Sequence, residues 1–262
     1  MFIAPFLPED LDDLLELEPP DWEWLLAHMR WNLATPYCFP LKAVFGEALV
    51  AGVGNALAHN GTGWVGPRFV HPHFRDKGVS ALLLQAQMDA LETQGCRSVT
   101  AVVNDEERPL FEALEFRAEG NYIRFADGQC EAPTEDEVEL FEPHHAMGVL
   151  HLDQRASGED RRAWISEHLY AGRLYISKGR VLGTYLPLLG EGLVLADNAH
   201  AGEELLRWHL PHVTSVVVPE ANNVAVEFLR LRKYTEEARM VRMVRGERVP
   251  WKPQMEYVRI SD

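Results

Sequence analysis

The chain has 262 residues, 47% of them hydrophobic and 25% charged, ordinary globular proportions at a length that points to two domains. Its 40 acidic side chains against 25 basic ones leave a net charge of -15, which argues against nucleic acid or an anionic membrane as main partner, since both select basic surfaces. Three widely spaced cysteines, Cys38, Cys96 and Cys130, with no C-x-x-C, give neither a disulfide framework nor a thiolate metal site and favour a reducing cytoplasm. The N-terminus MFIAPFLPEDLDDLL has no basic region before its apolar residues. No uncharged apolar run approaches the roughly 18 residues needed to cross a bilayer, so a soluble protein is expected.

A short strand is expected at Phe2 to Ala4, then a helix in PEDLDDLLELE. There Leu11, Leu14 and Leu15 fall at helical spacing, and acids crowd the first turn, where the helix dipole favours them. DWEWLLAHMRWNL gives a second helix, on which Trp22, Trp24 and Trp31 read as packing residues. The strand-like runs from Leu41 to Pro72 are broken by Gly46-Glu47 and by Asn60-Gly61-Thr62-Gly63. That predicts three antiparallel strands joined by hairpins. Pro67, with no N–H to give a ladder, belongs at an edge or a bulge. A helix follows from Val79 to Leu91 with Val79, Leu82, Leu83, Ala86 and Leu91 on one face. Strand SVTAVV, helix ERPLFEALE and strand NYIRFA complete the half. Residues 127–142, DGQCEAPTEDEVELFE, carry seven carboxylates and no base and read as an exposed acidic linker. Domains are therefore expected at residues 1–126 and 143–262.

The second half echoes the first. NDEERPLFEALEF (Asn104 to Phe116) matches NNVAVEFLRLRKY (Asn222 to Tyr234). Each follows an apolar strand, opens on Asn, places an aromatic 12 positions on and is followed by another strand. Upstream, GVSALLL and AGEELLRWHL stand in the same order at similar distance, so a duplicated α/β unit is the economical explanation.

In VHPHFRDKGVSALLLQ, Val70 to Gln85, a charged turn feeds an apolar helix. The first turn of a helix exposes backbone N–H groups with no partner, and together with the macrodipole they attract anions. Gly78 lets a ligand approach, small Ser80 and Ala81 leave the next amides open, and Arg75 and Lys77 add cationic donors. A plain connector explains the same residues. The loop lacks the spelling of a dinucleotide-binding turn and of a Walker loop.

V-H-P-x-x-R-x-x-G-x-S-x-x-L-L resembles motif A of the GNAT superfamily of N-acetyltransferases, V-x-P-x-x-[QR]-x-x-G-x-[GA], which binds the pyrophosphate of acetyl-CoA. The match places Arg75, Gly78 and Ser80 on the marked positions, with Ser in place of Gly or Ala. Asn104 with Leu110 to Phe116 resembles motif B, N-x-x-A-x-x-L-Y-x-x-x-G-F, and IAPFLPEDLDDLLEL resembles the first strand and helix of the family. The resemblance covers residues 1–126; in the second half it persists as NNVAVEF and ends with Tyr234, but no R-x-x-G-x-[GA] precedes AGEELLRWHL. It implies an α/β (α+β) fold of two GNAT-like domains with flanking helices, the second domain degenerate. Each sheet would be mixed, mostly antiparallel and twisted, its parallel fourth and fifth strands splayed apart.

The implied reaction is acetyl transfer from acetyl-CoA, a co-substrate, by direct attack of a neutral primary amine on the thioester in a ternary complex. Asp76, Lys77, Gly78, Val79, Ser80 and Ala81 with Arg75 would clamp the pyrophosphate. Phe69 and Val70 would pair with the pantetheine, the Val70 N–H would face the oxyanion, and Asn104 would bond the pantetheine side. Phe111 stands where many members have the tyrosine that protonates the leaving thiolate; Leu229 stands there in the second half. Tyr122 is a candidate acid; otherwise water serves, the thiolate leaves unaided, or the domain binds without catalysing, as an acyl-CoA sensor would. His71 and His73 flank the loop, and Glu47, His59 and His28 lie in segments that face substrate in the family, but packed or surface roles are favoured for these and no general base is assigned. No metal is expected at His71-x-His73, His144-His145 or His209-x-x-His212, which lack companion ligands. The basic run RMVRMVRGERVPWK reads as an amphipathic edge strand. The acceptor would be a small molecule or peptide amine, and the protein a monomer or homodimer.

Overall fold

The computed structural model describes residues 1–15, 23–46, 49–130, 133 and 137–260. Contacts divide the chain into two compact units, Met1–Ala101 and Val102–Asp262.

The first unit runs β1 (Phe2–Pro5), α1 (Asp10–Leu15), α2 (Glu23–Ala34), β2 (Cys38–Phe45), β3 (Leu49–His59), β4 (Thr62–Val70), α3 (Val79–Thr93) and the start of β5 (Ser98–Val103). Its strands lie in the order β1-β2-β3-β4-β5. The three hairpin strands form as expected, and β4 and β5 are parallel, pairing from Thr62↔Ser98 to Trp64↔Thr100. The register of β3 on β4 shifts between Gly54↔Arg68 and Ala56↔Val65, so Gly66 and Pro67 bulge opposite Asn55. Pro67 thus sits where a missing N–H is harmless. Asp10 fastens α1: its carboxylate accepts the Leu7 N–H at 2.7 Å and pairs with Lys42 of β2.

Side chains of β4 alternate between faces. Phe69 joins the core of Phe6, Leu14, Leu25, Met29, Val50 and Val53 beneath α1 and α2. Val70 joins that of Ala43, Ala51, Phe74, Val79 and Leu83 beneath α3. The buried face of α3 is Val79, Leu83, Leu84, Gln87, Met88 and Leu91, whereas Leu82, expected inside, is 44% exposed. The triple leucine run made the phase of the stripe ambiguous, and packing on the sheet chose Leu83 and Leu84.

The second unit continues with α4 (Arg108–Glu112), β6 (Arg117–Ala126), β7 (Val138–Leu140), α5 (Ala146–Ser157), α6 (Arg162–His168), β8 (Arg173–Ser177), β9 (Arg180–Leu186), β10 (Leu193–Ala196), α7 (Ala199–His209), β11 (Ser215–Pro219), α8 (Asn223–Leu231), β12 (Thr235–Gly246) and β13 (Glu256–Val258). A five-stranded sheet runs β13-β10-β9-β8-β7, and β12-β6-β11 are neighbours in another. The sequence of α7, β11, α8 and β12 repeats that of α3, β5, α4 and β6, as the internal echo predicted.

Three expectations change here. The compact division falls after Ala101 and not after residue 126, because β6 pairs with β11 along one edge and with β12 along the other. The acidic linker is not solvated throughout. Val138–Leu140 is a strand paired with β8, and Val138 is buried in the second core; residues 131, 132 and 134–136 lie outside the described ones. In the basic C-terminal run, Arg242 is only 5% exposed, held by Glu119 at 2.9 Å, so the alternation of β12 is not a simple dry and wet face.

Candidate functional site

The anion-seeking loop has the geometry its residues imply. Gly78 is the N-cap of α3 with φ 76° and ψ 9°, a left-handed conformation that glycine adopts without strain, and no side chain caps the helix. A Cβ built on Gly78 would meet no protein atom within 4 Å, so its missing side chain keeps open space in front of the turn. The first helical bond runs from the Leu82 N–H to the Gly78 carbonyl at 3.1 Å. The amides of Val79, Ser80 and Ala81 therefore have no acceptor within the helix. Arg75, Asp76 and Lys77 are exposed at the mouth, with Asp76 also left-handed at φ 64°, and the Lys77 ammonium lies 4.9 Å from the ring centre of buried Phe74. Serine is accommodated in place of Gly or Ala because its hydroxyl accepts from Arg68 Nε at 3.1 Å.

β4 delivers Phe69 and Val70 to the same end of the unit. The His71 N–H donates to the Ala51 carbonyl at 3.0 Å. Antiparallel bonds alternate in direction, so the Val70 N–H turns away from β3, toward the side on which pairing with β5 has stopped after Trp64. The bulge upstream is pinned by Gln87 of α3. This fully buried amide donates to the carbonyls of Asn55 at 2.5 Å and Gly66 at 3.1 Å, while Asn55 Nδ2 donates to Asn32 of α2 at 2.8 Å. Neither Gln87 nor Arg68 was singled out from the sequence. Gln87 was legible as a polar residue on the 79-83-87-91 stripe; its partner carbonyls were not.

Trp24, expected as a packing residue, stays 46% exposed while meeting Phe69 edge-on at 5.0 Å and His28 at 5.7 Å. Trp31 is 36% exposed. His59 is 4% exposed between Tyr37 and Trp64, a core histidine. His71 Nδ1 accepts the His73 N–H at 3.2 Å, and burial, then His73 and Arg75, lowers its pKa. Glu47 and Trp22 lie outside the described residues. Among the described residues no group of three or more His, Cys, Asp or Glu gathers as a metal site would require, and no helix is long and apolar enough to cross a membrane.

Asn104, Phe111 and Tyr122 belong to the second unit. Asn104 Oδ1 accepts the Glu107 N–H at 2.8 Å at the entrance to α4, as Asn222 Oδ1 accepts that of Ala225 at 3.1 Å before α8, which explains why both halves of the repeat open on Asn. Phe111 is 1% exposed with Phe116 edge-on at 5.2 Å, a core residue. Tyr122 is also 1% exposed. Its hydroxyl donates to Glu256 at 3.0 Å, and burial with that carboxylate pushes the phenol far above its ordinary pKa, so it holds its proton and is poorly suited to deliver one.

The helix that echoes α3 is built differently. Asn198 caps α7, accepting the Ala201 N–H at 3.0 Å, and Glu203 and Glu204 follow within the next turn. A Cβ on Gly202 would lie 2.1 Å from the ring of Tyr257, so the space is filled. The start of α3 is left uncapped behind its glycine, whereas that of α7 is capped by Asn198.

The sequence matches the model of the acetyltransferase (GNAT) family over residues 4–116. No curated protein matches it. Among solved structures it is similar to one described as a candidate acetyltransferase from Pyrococcus horikoshii, at 18% identity over 99% of this chain and 94% of that one, with a TM-score of 0.82. It is also similar to a GCN5-related N-acetyltransferase from Sphaerobacter thermophilus (15% identity, 94% and 95% covered, TM-score 0.61). A third is a tandem GNAT protein from the clavulanic acid biosynthesis pathway (14%, 93% and 98%, TM-score 0.60). The acetyltransferase (GNAT) family model thus matches residues 4–116, and the fold of nearly the whole chain is similar to that of the solved acetyltransferase structures.

Proposed function

We propose that the protein is an acetyl-CoA-dependent N-acetyltransferase that moves an acetyl group to a primary amine by direct attack in a ternary complex. The open first turn of α3 carries this reading: three amides without acceptors, a left-handed glycine facing empty space and two exposed cations. In this reading the pyrophosphate lies on the amides of Val79, Ser80 and Ala81 with Arg75 and Lys77 beside it. The pantetheine follows Phe69 and Val70. The Val70 N–H stabilises the oxyanion, a contribution of about 3 kcal/mol for such donors in other acyl-transfer enzymes. The acceptor is a small-molecule or peptide amine. An acidic chain suits a cationic one, and the exposed face of Trp24 beside Phe69 offers it an aromatic wall.

Buried Phe111 and locked Tyr122 supply no side-chain acid, which favours a second reading, a non-catalytic acyl-CoA-binding sensor. Thermal melts with acetyl-CoA and a free-thiol assay over a panel of amines, basic peptides and aminoglycosides separate the two. Wild type is expected to gain several degrees with acetyl-CoA and to release thiol with at least one amine. Gly78→Glu, whose side chain enters the open space, is expected to lose the gain. Stabilisation without thiol release from any amine selects the sensor; no stabilisation of wild type defeats both.

A further inference from the structure

In the first unit β4 and β5 pair directly before they part. Their counterparts in the repeat, β10 and β11, have β13 between them. On the β10 edge Val194 faces Val258 and Leu195 faces Glu256. On the β11 edge the Arg259 N–H donates to the Val217 carbonyl at 2.9 Å. Asn222, already the cap of α8, adds Nδ2 to the carbonyls of Gln254 at 3.3 Å and Glu256 at 2.9 Å. Main-chain bonds on two edges with alternate side chains in pockets are the means by which proteins recognise an extended peptide. Here Met255, Tyr257, Val258 and Ile260 fill the pockets, each at most 7% exposed. Glu256 receives the Tyr122 hydroxyl and, at 2.9 Å, Trp251 Nε1. The Tyr257 ring covers Gly202 of α7. The tether before this segment, Gly246, Glu247 and Arg248, is exposed.

We infer that the cleft between β10 and β11 is a backbone-recognition site whose ligand is the chain's own C-terminal segment, Trp251–Ile260. The further clause, that this strand stands where the first unit holds a pantetheine arm and so limits the chain to one acetyl-CoA, rests on the function proposed above. Site and ligand are linked by an exposed tether and not by the packing of one continuous element. The segment behaves as a bound peptide that exchanges when cut.

The test inserts a protease site between Glu247 and Arg248 of the full chain and cuts the folded protein. The fragment is expected to remain bound through gel filtration. Stripping it with mild denaturant is expected to lower Tm by about 5 °C or more, and a synthetic peptide of residues 248–262 to restore it, whereas acetyl-CoA does not. Calorimetry is expected to give one acetyl-CoA per chain while the segment is bound. A fragment that leaves with Tm unchanged, or a chain that takes two acetyl-CoA with the segment bound, overturns the inference. Should the stripped chain precipitate, Asn222→Asp in the uncut protein decides, since aspartate keeps the cap on α8 and loses both donors to the segment. Faster hydrogen exchange confined to amides 254–259 supports the inference, and unchanged exchange overturns it. If the uncut chain takes no acetyl-CoA at all, the cofactor reading falls while the peptide and exchange results still decide this one.

Discussion

Gly78 and Gly202 show how much one missing side chain depends on its surroundings: the first faces open space in a left-handed turn, the second is covered by an aromatic ring. Composition treats them alike. His209 is the residue at which the same dependence has a measurable pH signature. It is 1% exposed on α7, its Nδ1 has no hydrogen-bond partner, and Tyr185 meets it edge-on at 5.3 Å. Burial, with a smaller push from His212, lowers its pKa to about 4. Unfolded, the imidazole titrates near its ordinary value of about 6.5, so the unfolded chain binds the proton more readily. Stability from the neutral ring is therefore complete above that value and is lost as pH falls toward the folded one. Urea unfolding at pH 7.5 and pH 5 is expected to differ by about 2 kcal/mol from this group. His209→Gln is expected to remove that share of the difference; an equal pH dependence in the variant would place the effect elsewhere.

At the scale of elements, β4 gathers the positioning geometry of the candidate site. Its bulge opposite Asn55 is held by one side chain from the helix across the face, Gln87. Gln87→Leu keeps the size but leaves two buried carbonyls without that donor. Unfolding free energy is expected to fall by about 2 kcal/mol, and the thermal gain with acetyl-CoA to shrink, because Phe69 and Val70 lie just beyond the bulge. A variant that melts lower yet keeps the full gain would show that the bulge shapes the core and not the site. This pin shows why part of the site was illegible. Helix α3 and strand β4 were readable from local periodicity and from Pro67, but a bond from residue 87 to residues 55 and 66 depends on chain closure. The phase of α3 failed for the same reason, Leu82 lying outside and Leu84 inside.

For the molecule as a whole, the two halves of the repeat differ in how their corresponding helices are capped, by Gly78 in one and Asn198 in the other. The second unit also buries charge. Arg161 and Asp153, 5% and 2% exposed, form a two-pronged pair, with Arg161 Nε 3.2 Å from the carboxylate. Removing one partner strands a buried charge, so Asp153→Ala is expected to lower unfolding free energy by about 3–5 kcal/mol in chemical denaturation. Replacing both, Asp153→Leu with Arg161→Met, is expected to recover most of that loss. Glu159 acts electrostatically on Arg161 and lies 3.7 Å from Arg242, so a double variant as unstable as the single one would mean that these further charges do more than neutralise the pair. By itself the sequence determined the order of elements, the repeat and the open loop. These are written in neighbouring residues: alternation in strands, Asn caps, and a glycine between two cations ahead of an apolar helix. Only the tertiary structure decided that β6 pairs with β11 and β12, that Phe111 and Tyr122 are buried, that Arg242 lies inside, and that the C-terminal segment fills the second cleft. Each of those is a contact between residues far apart in the chain, chosen by burial and hydrogen-bond satisfaction in the closed fold, to which local pattern carries no guide.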